Sequence, residues 1–286
     1  MQYTLSNGIL TATFNTRGAE LISLKNSDGK EFIFRDPNFW GFSCPTLFPI
    51  CGGLKDGKFI YEGKEYFLEK HGFCRMAEFE VLSETDSEIA FITRSSEDTL
   101  KVYPFEFEFI IRYTLDGNAL TIGYETNNLT DGKMYYSVGC HEAYLCRGGI
   151  EKYQLVFDET ETLDAHGVDG VMATYETRNV ITESKILPLR YSDYDIDALI
   201  FSKLNSRGVT LRALDGNHEV KVDFPGLPHL LLWTPASKEA PFICIEPWHG
   251  LPDMTDSRYD ITQRTGIICL EKGESRTLIH KITFIK

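Results

Sequence analysis

The chain has 286 residues, of which 42% are hydrophobic and 25% are charged, and its formal net charge is −13 at pH 7. A single-sign acidic charge argues against binding to nucleic acid or to anionic membrane surfaces, and it suits neutral small molecules better than highly anionic ones. The length allows one large domain or two ordinary ones with a substantial core.

The N-terminal residues and the cysteines bear on the cellular compartment. Residues 1–6 lack the basic and apolar regions of a signal peptide, and no apolar run approaches the ~18 residues of a membrane span. The 7 cysteines are an odd number without a CxxC pair, which argues against a disulfide framework. Reduced thiols fit a cytosol better. We therefore expect a cytoplasmic protein.

Turn dipeptides punctuate the sequence almost throughout. They are Asn7-Gly8, Asp28-Gly29, Asp56-Gly57, Glu62-Gly63, Asp116-Gly117, Asp131-Gly132 and Asp215-Gly216. Glycine supplies the positive φ that tight hairpin turns need, and apolar or β-branched runs flank most of these pairs. The pattern predicts a succession of hairpins.

Runs of alternating apolar and polar residues lie between the turns, most regularly over residues 105–113. A period of two is typical of a half-buried strand. Similar runs predict strands over residues 9–14, 19–24, 66–70, 78–82, 89–93, 119–125, 134–138, 198–201, 209–213, 220–224, 230–233, 242–246 and 277–284. No long stretch has a helical period, so we expect an all-β fold of the antiparallel sandwich or barrel type.

The sequence contains no feature that would divide the chain into separate domains. No Pro/Gly/Ser-rich linker, low-complexity tract, charge block or internal repeat interrupts it, so residues 1–286 are taken as a single domain. Residues 158–189 are rich in Asp, Glu and Thr and form the least regular part of the sequence. They predict a long surface excursion rather than a linker.

The first candidate site is His71-Gly72-Phe73-Cys74-Arg75, which follows the predicted strand at residues 66–70. The glycine lets the backbone turn and a ligand approach closely. On local grounds alone, a lone histidine at a strand end is more often structural or exposed.

The second candidate is His141, within Ser137-Val138-Gly139-Cys140-His141-Glu142-Ala143-Tyr144. Neighbouring residues of a strand point to opposite faces, so Cys140 faces away if His141 faces a cleft. A buried, inert Cys140 is therefore expected rather than a thiol nucleophile.

The third candidate is Asp197, which precedes the apolar run at residues 198–201. Most carboxylates in such an acidic cluster are solvated turn residues. Asp197 adjoins the buried run directly, and its two oxygens could accept hydrogen bonds from two hydroxyls of a ligand.

The best candidate for a catalytic centre is Glu246, at the end of the apolar run Phe242-Ile243-Cys244-Ile245. Burial there would raise the pKa of its carboxyl towards the range of a general base. Pro247-Trp248-His249-Gly250 predicts a loop leaving the sheet. Trp248 could stack on a sugar ring, whereas Trp40 and Trp233 are expected in the core and His280 in the interior or at an edge.

Other chemistry finds no support in the sequence. The histidines and cysteines lack zinc-site spacing, and there is no glycine-rich phosphate loop and no GxSxG nucleophile elbow. We expect no metal, nucleotide, flavin or other cofactor.

Five segments occur in an order and spacing that resembles the aldose 1-epimerase (galactose mutarotase-like) family, and more closely its bacterial LacX-type branch. They are Pro45-Thr46-Leu47-Phe48-Pro49, His71-Gly72-Phe73-Cys74-Arg75, Gly139-Cys140-His141-Glu142-Ala143-Tyr144, Asp197-Ala198-Leu199-Ile200-Phe201 and Ile245-Glu246-Pro247-Trp248. The resemblance spans almost the whole chain. It implies a large antiparallel β-supersandwich.

The resemblance also implies a reaction, the interconversion of the α and β anomers of a free sugar without a cofactor. In that reaction Glu246 takes the proton from the O1 hydroxyl while His141 protonates the ring oxygen. His71 and Asp197 hold and polarise the sugar. A carboxylate and a tuned imidazole are a natural pair where one group must accept a proton and another donate one.

One position departs from the family pattern. Members of the family carry an arginine in the loop after their early glycine, and here Gly53 stands where it is expected. Lys55 or Arg75 could supply the missing donor, although a lysine lacks the planar fork of an arginine.

Three other functions stay open. A hexose-6-phosphate 1-epimerase needs a basic pocket, for which Lys55 and Arg75 are the cations near the motifs. Gly53 suggests a non-catalytic sugar-binding or regulatory protein with the same cleft. A glycoside hydrolase using Asp197 and Glu246 would leave both histidines without roles. In each case the partner is a small-molecule sugar, and monomer and homodimer both remain possible.

Overall fold

The computed structural model describes residues 1–285, which form 22 strands, one short α-helix and six 3₁₀-helices. The strands are β1 (Gln2–Ser6), β2 (Leu10–Asn15), β3 (Leu21–Asn26), β4 (Thr46–Leu47), β5 (Lys58–Tyr61), β6 (Lys64–Phe67), β7 (Glu80–Glu84), β8 (Glu88–Arg94), β9 (Phe107–Asp116), β10 (Ala119–Asn128), β11 (Met134–Tyr136), β12 (Gly139–Cys140), β13 (Glu142–Leu145), β14 (Tyr153–Asp169), β15 (Met172–Pro188), β16 (Leu199–Phe201), β17 (Gly208–Ala213), β18 (Glu219–Asp223), β19 (His229–Trp233), β20 (Phe242–Trp248), β21 (Ile268–Leu270) and β22 (Ser275–Phe284).

The helices are short and connect strands. The α-helix α1 covers Glu97–Val102, and the 3₁₀-helices cover Lys55–Gly57, Cys74–Met76, Ile150–Lys152, Tyr191–Tyr194, Ala236–Lys238 and Ile261–Gln263. In the part of the chain that the structure describes, none of them has the length and apolar character needed to cross a membrane. All seven cysteines are free thiols, and six of them are buried.

One antiparallel sheet of 15 strands dominates the architecture. Its order is β4-β12-β20-β19-β16-β14-β17-β18-β22-β10-β9-β8-β7, with β13 also paired to β20 and β15 to β14. Smaller sheets join β1-β2-β3, β5-β6 and β11-β21. The predicted all-β antiparallel fold is therefore confirmed.

Where apolar and polar residues alternate in the sequence, the apolar residues form the buried face of a strand. In β9 the buried residues include Phe107, Phe109 and Ile111, and Phe109 stacks on Phe48 with 4.2 Å between ring centroids. The turn between β9 and β10 has Gly117 at φ +55°, as the Asp-Gly pair predicts. Alternation and turn chemistry together fix the register of this hairpin.

The strand that carries Glu246 is longer than predicted. It runs to Trp248 because partners continue on both sides: Leu231 and His229 of β19 pair with Glu246 and Trp248, and Gly139 of β12 also pairs with Trp248. The expected loop therefore begins later, and Glu246 lies inside a strand rather than at its end.

Residues 158–189 do not form an irregular excursion. They belong to a long hairpin of two 17-residue strands, β14 and β15. Most side chains of β15 are exposed, and the pairing contains several register shifts, so apolar alternation is largely missing. The sequence pattern therefore hid a regular element.

Candidate active site

Glu246 and His141 meet because His141 lies between β12 and β13, and both of these strands pair with β20, which carries Glu246. Glu142 pairs with Ile245 in the β13–β20 ladder, so the residue before Glu142 lies beside the residue after Ile245. Nε2 of His141 is 3.3 Å from Oε2 of Glu246. Both residues are buried, with 8% and 1% of their surfaces exposed.

The same segment presents a different set of side chains to the core. Cys140 is fully buried, as predicted, and Oε1 of Glu142 lies 3.2 Å from Nε2 of the buried His280. Tyr124 stacks on His280 with ring centroids 5.7 Å apart. The interior position expected for His280 is observed, but its carboxylate partner Glu142 was not foreseen.

His71 is held in an uncommon backbone conformation, with φ +72°. Its N–H donates to the Gly52 carbonyl oxygen at 2.9 Å, and the Gly52 N–H donates to its Nδ1 at 3.2 Å. Nδ1 is thus an acceptor, so the proton of the neutral ring sits on Nε2. A non-glycine residue at positive φ is a local cost that such contacts must offset.

Gly72 has φ +70°, so it lets the backbone turn as predicted. A Cβ at this position would lie 2.4 Å from the Phe48 carbonyl oxygen, so the close approach is made by the protein's own backbone. The predicted close approach of a ligand is not what requires this glycine.

His71, His141, Glu246 and Asp197 line one cleft, as the family resemblance implies. The cleft has a volume of about 220 Å³. That is below the ~300–1,000 Å³ of pockets for drug-sized ligands, and it suits a ligand as small as a monosaccharide. Its lining residues are Trp40, Gly52, Lys70, His71, Arg75, His141, Val168, Val171, Met172, Asp197, Ala198, Ile200, Leu231, Trp233, Glu246, Trp248 and Pro252.

Two cations share the cleft with these residues. Nζ of Lys70 is 3.9 Å from Oδ2 of Asp197, and the Arg75 guanidinium lies 5.2 Å from the Phe42 ring centroid. Nε of Arg75 is buried without a hydrogen-bond partner in residues 1–285. Arg75 therefore lines the cleft with a donor that is unpaired within residues 1–285, and Lys70, which the sequence motifs do not single out, lines it too.

Lys55 lies outside the cleft, contrary to expectation. Its Nζ donates to the Ser257 carbonyl oxygen at 3.3 Å and lies 5.5 Å from the Tyr259 ring centroid. Its side chain packs against Ser257 and Tyr259 and does not line the cleft.

The tryptophans are arranged differently from the prediction. Trp40 and Trp233 were expected in the interior, but both are half-buried and line the cleft around His141, with ring centroids 4.7 Å and 5.7 Å from the imidazole. Trp248 also lines the cleft, yet it is 2% exposed and its indole N–H donates to the Cys140 carbonyl oxygen. Trp40 and Trp233 are thus better placed to contact a ligand than Trp248.

Burial sets the protonation of the two central groups. It raises the pKa of Glu246 well above its usual value, an effect opposed by Lys70 and reinforced by Glu142 and Asp197. It also lowers the pKa of His141 to about 3. When the pair holds one proton, both shifts favour placing it on Glu246. The pair is then uncharged, with a carboxylic acid beside a neutral imidazole. Burial likewise lowers the pKa of His71 well below its usual value.

Two groups of three side chains have donor atoms close enough to share a metal ion, namely Cys140, Glu142 and His280, and His141, Cys244 and Glu246. Each group contains one cysteine. Burial raises the pKa of both thiols well above the usual value, whereas metals bind the thiolate.

Gly53 has a steric reason to be a glycine. A Cβ at this position would lie 2.4 Å from Cβ of Val171 and 2.7 Å from the Val171 carbonyl oxygen, closer than real Cβ atoms approach. The tip of the β14–β15 hairpin therefore occupies the space that an arginine side chain at position 53 would need.

Replacing Gly53 by arginine is expected to lower stability by about 1–3 kcal/mol, as for other overpacked sites, and not to improve sugar turnover. The hairpin tip must move, because one of the clashing atoms belongs to the backbone. Denaturant unfolding would measure the loss. Gly41→Arg is the matched control, since a Cβ there meets nothing within 4 Å. Equal stability of the two variants would contradict the steric argument.

Comparisons with known proteins place this cleft in context. The family model described as aldose 1-epimerase matches residues 1–259. The plasmid-borne protein LacX of Lactococcus lactis subsp. lactis is 34% identical over 265 residues, which cover 88% of each chain.

Solved structures agree closely with this fold. A galactose mutarotase related enzyme from Lactobacillus acidophilus superimposes with a TM-score of 0.94 at 30% identity, covering 100% of this chain and 98% of that one. A galactose mutarotase-like protein from Lactobacillus casei gives a TM-score of 0.95 at 28% identity, with both chains fully covered.

Proposed function

Because the chain belongs to the aldose 1-epimerase family, we propose that it interconverts the α and β anomers of a free hexose, with Glu246 as base and His141 as acid. The observation that carries this proposal is the buried contact of 3.3 Å between the His141 imidazole and the Glu246 carboxylate inside a sugar-sized cleft. The reaction needs such an acceptor and donor together.

The proposed steps conserve protons within the pair. Glu246 takes the proton from O1–H, the bond between C1 and the ring oxygen breaks, and His141 gives its proton to that oxygen. The aldehyde rotates about the C1–C2 bond. The ring oxygen then attacks C1 from the other face, returning its proton to His141, while Glu246 returns its proton to O1. The pair carries every proton that moves, so the proposed reaction calls for no cofactor.

The pKa shifts favour the protonation state that ring opening produces over the state from which it starts. Ring opening turns a carboxylate and an imidazolium into a carboxylic acid and a neutral imidazole. The raised pKa of Glu246 and the lowered pKa of His141 both favour that second state. A dry cleft thus stabilises the uncharged pair of the open-chain stage relative to the charged pair of the closed-ring stage.

The remaining cleft residues would hold the sugar. Nε2–H of His71 can donate to a hydroxyl, because Nδ1 is already occupied by the Gly52 N–H. Asp197 can accept from two hydroxyls, and Lys70 lies 3.9 Å from it. Trp40 and Trp233 offer aromatic surface to the C–H face of the ring.

The direct test follows the optical rotation of freshly dissolved α-glucose and α-galactose. The purified protein should speed the approach to equilibrium beyond the spontaneous rate, and heat-denatured protein should not. If no common aldose responds but saturable sugar binding is measured, the protein is a binding module rather than an enzyme.

The pH dependence of kcat/KM should be bell-shaped. The pair is active with one proton, so activity falls when a second proton binds in acid and when the last one leaves in alkali. Because burial lowers the pKa of His141 to about 3, the acid limb should lie well below the ordinary imidazole range. Rates corrected for the spontaneous reaction would show this, and an acid limb near the usual imidazole pKa of ~6.5 would contradict it.

A second candidate substrate is a hexose 6-phosphate, and the cations in the cleft are the observation that favours it. Arg75 forms no salt bridge in residues 1–285, and Lys70 has one long contact with Asp197. A phosphate could take both. Comparing rates on glucose and glucose 6-phosphate separates the candidates, and Arg75→Gln should reduce only the rate on the phosphate.

A further inference from the structure

The hairpin tip, defined here as residues 168–172, is anchored by its neighbours rather than hanging freely over the cleft. The Asp253 N–H donates to the Gly53 carbonyl oxygen at 2.9 Å, and the Ala173 N–H donates to the Asp253 carbonyl oxygen at 2.9 Å. The Thr255 N–H donates back to the Ala173 carbonyl oxygen at 3.1 Å. These backbone bonds join the hairpin, the Gly53 loop and the loop after β20 into one rim.

The hairpin tip adds apolar side chains to the lining of the cleft, to which Ala198, Ile200, Leu231 and Pro252 of other segments also contribute. The hairpin tip contributes Val168, Val171 and Met172, whose side chains hold no strong hydrogen-bonding group. Polar and charged side chains on other segments provide the donors and acceptors of the cleft. Val171 remains 42% exposed although it is apolar, and Gly53 beside it has no side chain to cover it.

We propose that Val171 is a specificity-determining residue that gives the sugar site an apolar wall in the volume a side chain at position 53 would fill. This inference deepens the proposed function and rests on it. The favoured substrates are aldoses that present a C–H group or a deoxy position to the wall, rather than a hydroxyl that must be hydrogen-bonded there.

An apolar wall should make the hydroxyls at different ring positions contribute differently to kcat/KM. A site built to hydrogen-bond a hydroxyl rejects the analogue that lacks it by about 10⁴–10⁵-fold, whereas an apolar contact discriminates by only about 10–200-fold. A hydroxyl facing the wall would lose water without gaining a partner. Removing that one hydroxyl should therefore preserve or raise kcat/KM, and removing the others should lower it.

The experiment measures anomerisation of glucose and of its 2-, 3-, 4- and 6-deoxy analogues by the wild-type protein and by Val171→Thr. Threonine has nearly the shape of valine and adds one hydroxyl to the wall. We expect one deoxy analogue to match or exceed glucose with the wild-type protein. With Val171→Thr that analogue alone should fall relative to glucose, by about tenfold, which lies within the range for one pocket contact.

A matched control comes from the same hairpin. Ile186→Thr adds the same hydroxyl to an exposed strand position that does not line the cleft, and it should leave every ratio unchanged. Thermal unfolding of both variants checks that the fold is kept.

The outcomes separate the two proposals. If glucose is turned over but Val171→Thr changes all sugars equally or none, Val171 is not the determinant while the epimerase proposal stands. If no sugar is turned over, the epimerase proposal fails. Calorimetric binding of the same five sugars then tests the role of Val171. Val171→Thr must selectively weaken the binding of one deoxy analogue, or the inference is wrong.

Discussion

Glu246→Gln is expected to reduce anomerisation by about 10²–10⁴-fold, the range for loss of one acid–base group. Glutamine has the size of the carboxyl and can still hydrogen-bond His141, but it cannot take the proton from O1. The fall should appear in kcat, because the sugar-holding groups are untouched. Polarimetry with the spontaneous rate subtracted measures it.

The same substitution has an opposite effect on stability. Burial raises the pKa of Glu246, so the folded protein binds this proton more tightly than the unfolded chain does. That stabilisation is complete below the unfolded pKa and is lost as the pH rises through the folded pKa. The melting temperature of Glu246→Gln should therefore exceed that of the wild type by a margin that grows with pH in this window.

Glu239→Gln supplies the control for both measurements, since Glu239 is exposed and does not line the cleft. It should change neither rate nor melting temperature. An active Glu246→Gln variant would remove Glu246 from the role of base. A margin in melting temperature that shrinks with pH would contradict its raised pKa.

His141→Asn is expected to lower kcat by a similar factor of about 10²–10⁴. The imidazole lies between Trp40 and Trp233, and the amide of asparagine cannot give a proton to the ring oxygen in its place. His71→Asn, the same change one ring away, should act mainly on KM because His71 is proposed to hold the sugar.

Combining the two substitutions gives a sharper measurement. Glu246 and His141 exchange protons in one step, so the double variant should lose little more than either single variant, as is typical of residues that act as a unit. Losses that multiply would show that the two side chains act independently. Residual activity of His141→Asn near the wild-type level would exclude it as the acid.

Much of the fold could be predicted because local signals agree with it. The strand at residues 119–125 is observed as β10 (Ala119–Asn128), and the pairs at residues 7–8, 62–63, 116–117 and 215–216 mark real hairpin turns. Asp56-Gly57 instead lies in a 3₁₀-helix, and Asp131-Gly132 joins two strands that do not pair. Strand ends were less predictable. β20 continues through Pro247 and Trp248 because β19 and β12 lie alongside, and sequence patterns do not contain that pairing.

The candidate site was predictable where motifs carry it and hidden where distant segments meet. His71, His141, Asp197 and Glu246 could be named in advance because short segments around them resemble a family. Trp40 gave no such signal, since a tryptophan in an apolar segment usually belongs to the core. The reason for Gly53 lies in contact with Val171, more than a hundred residues away in the chain.

The segment at residues 140–142 has a consequence for how this protein can change. His141 faces the cleft, while Cys140 and Glu142 on either side face the core, where Glu142 meets His280. A library of substitutions here would give two phenotypes at adjacent codons, loss of folding and loss of turnover. One short backbone segment carries both the cleft residue and the core residues. A change that moves this backbone to alter the chemistry would therefore also disturb the packing of the core.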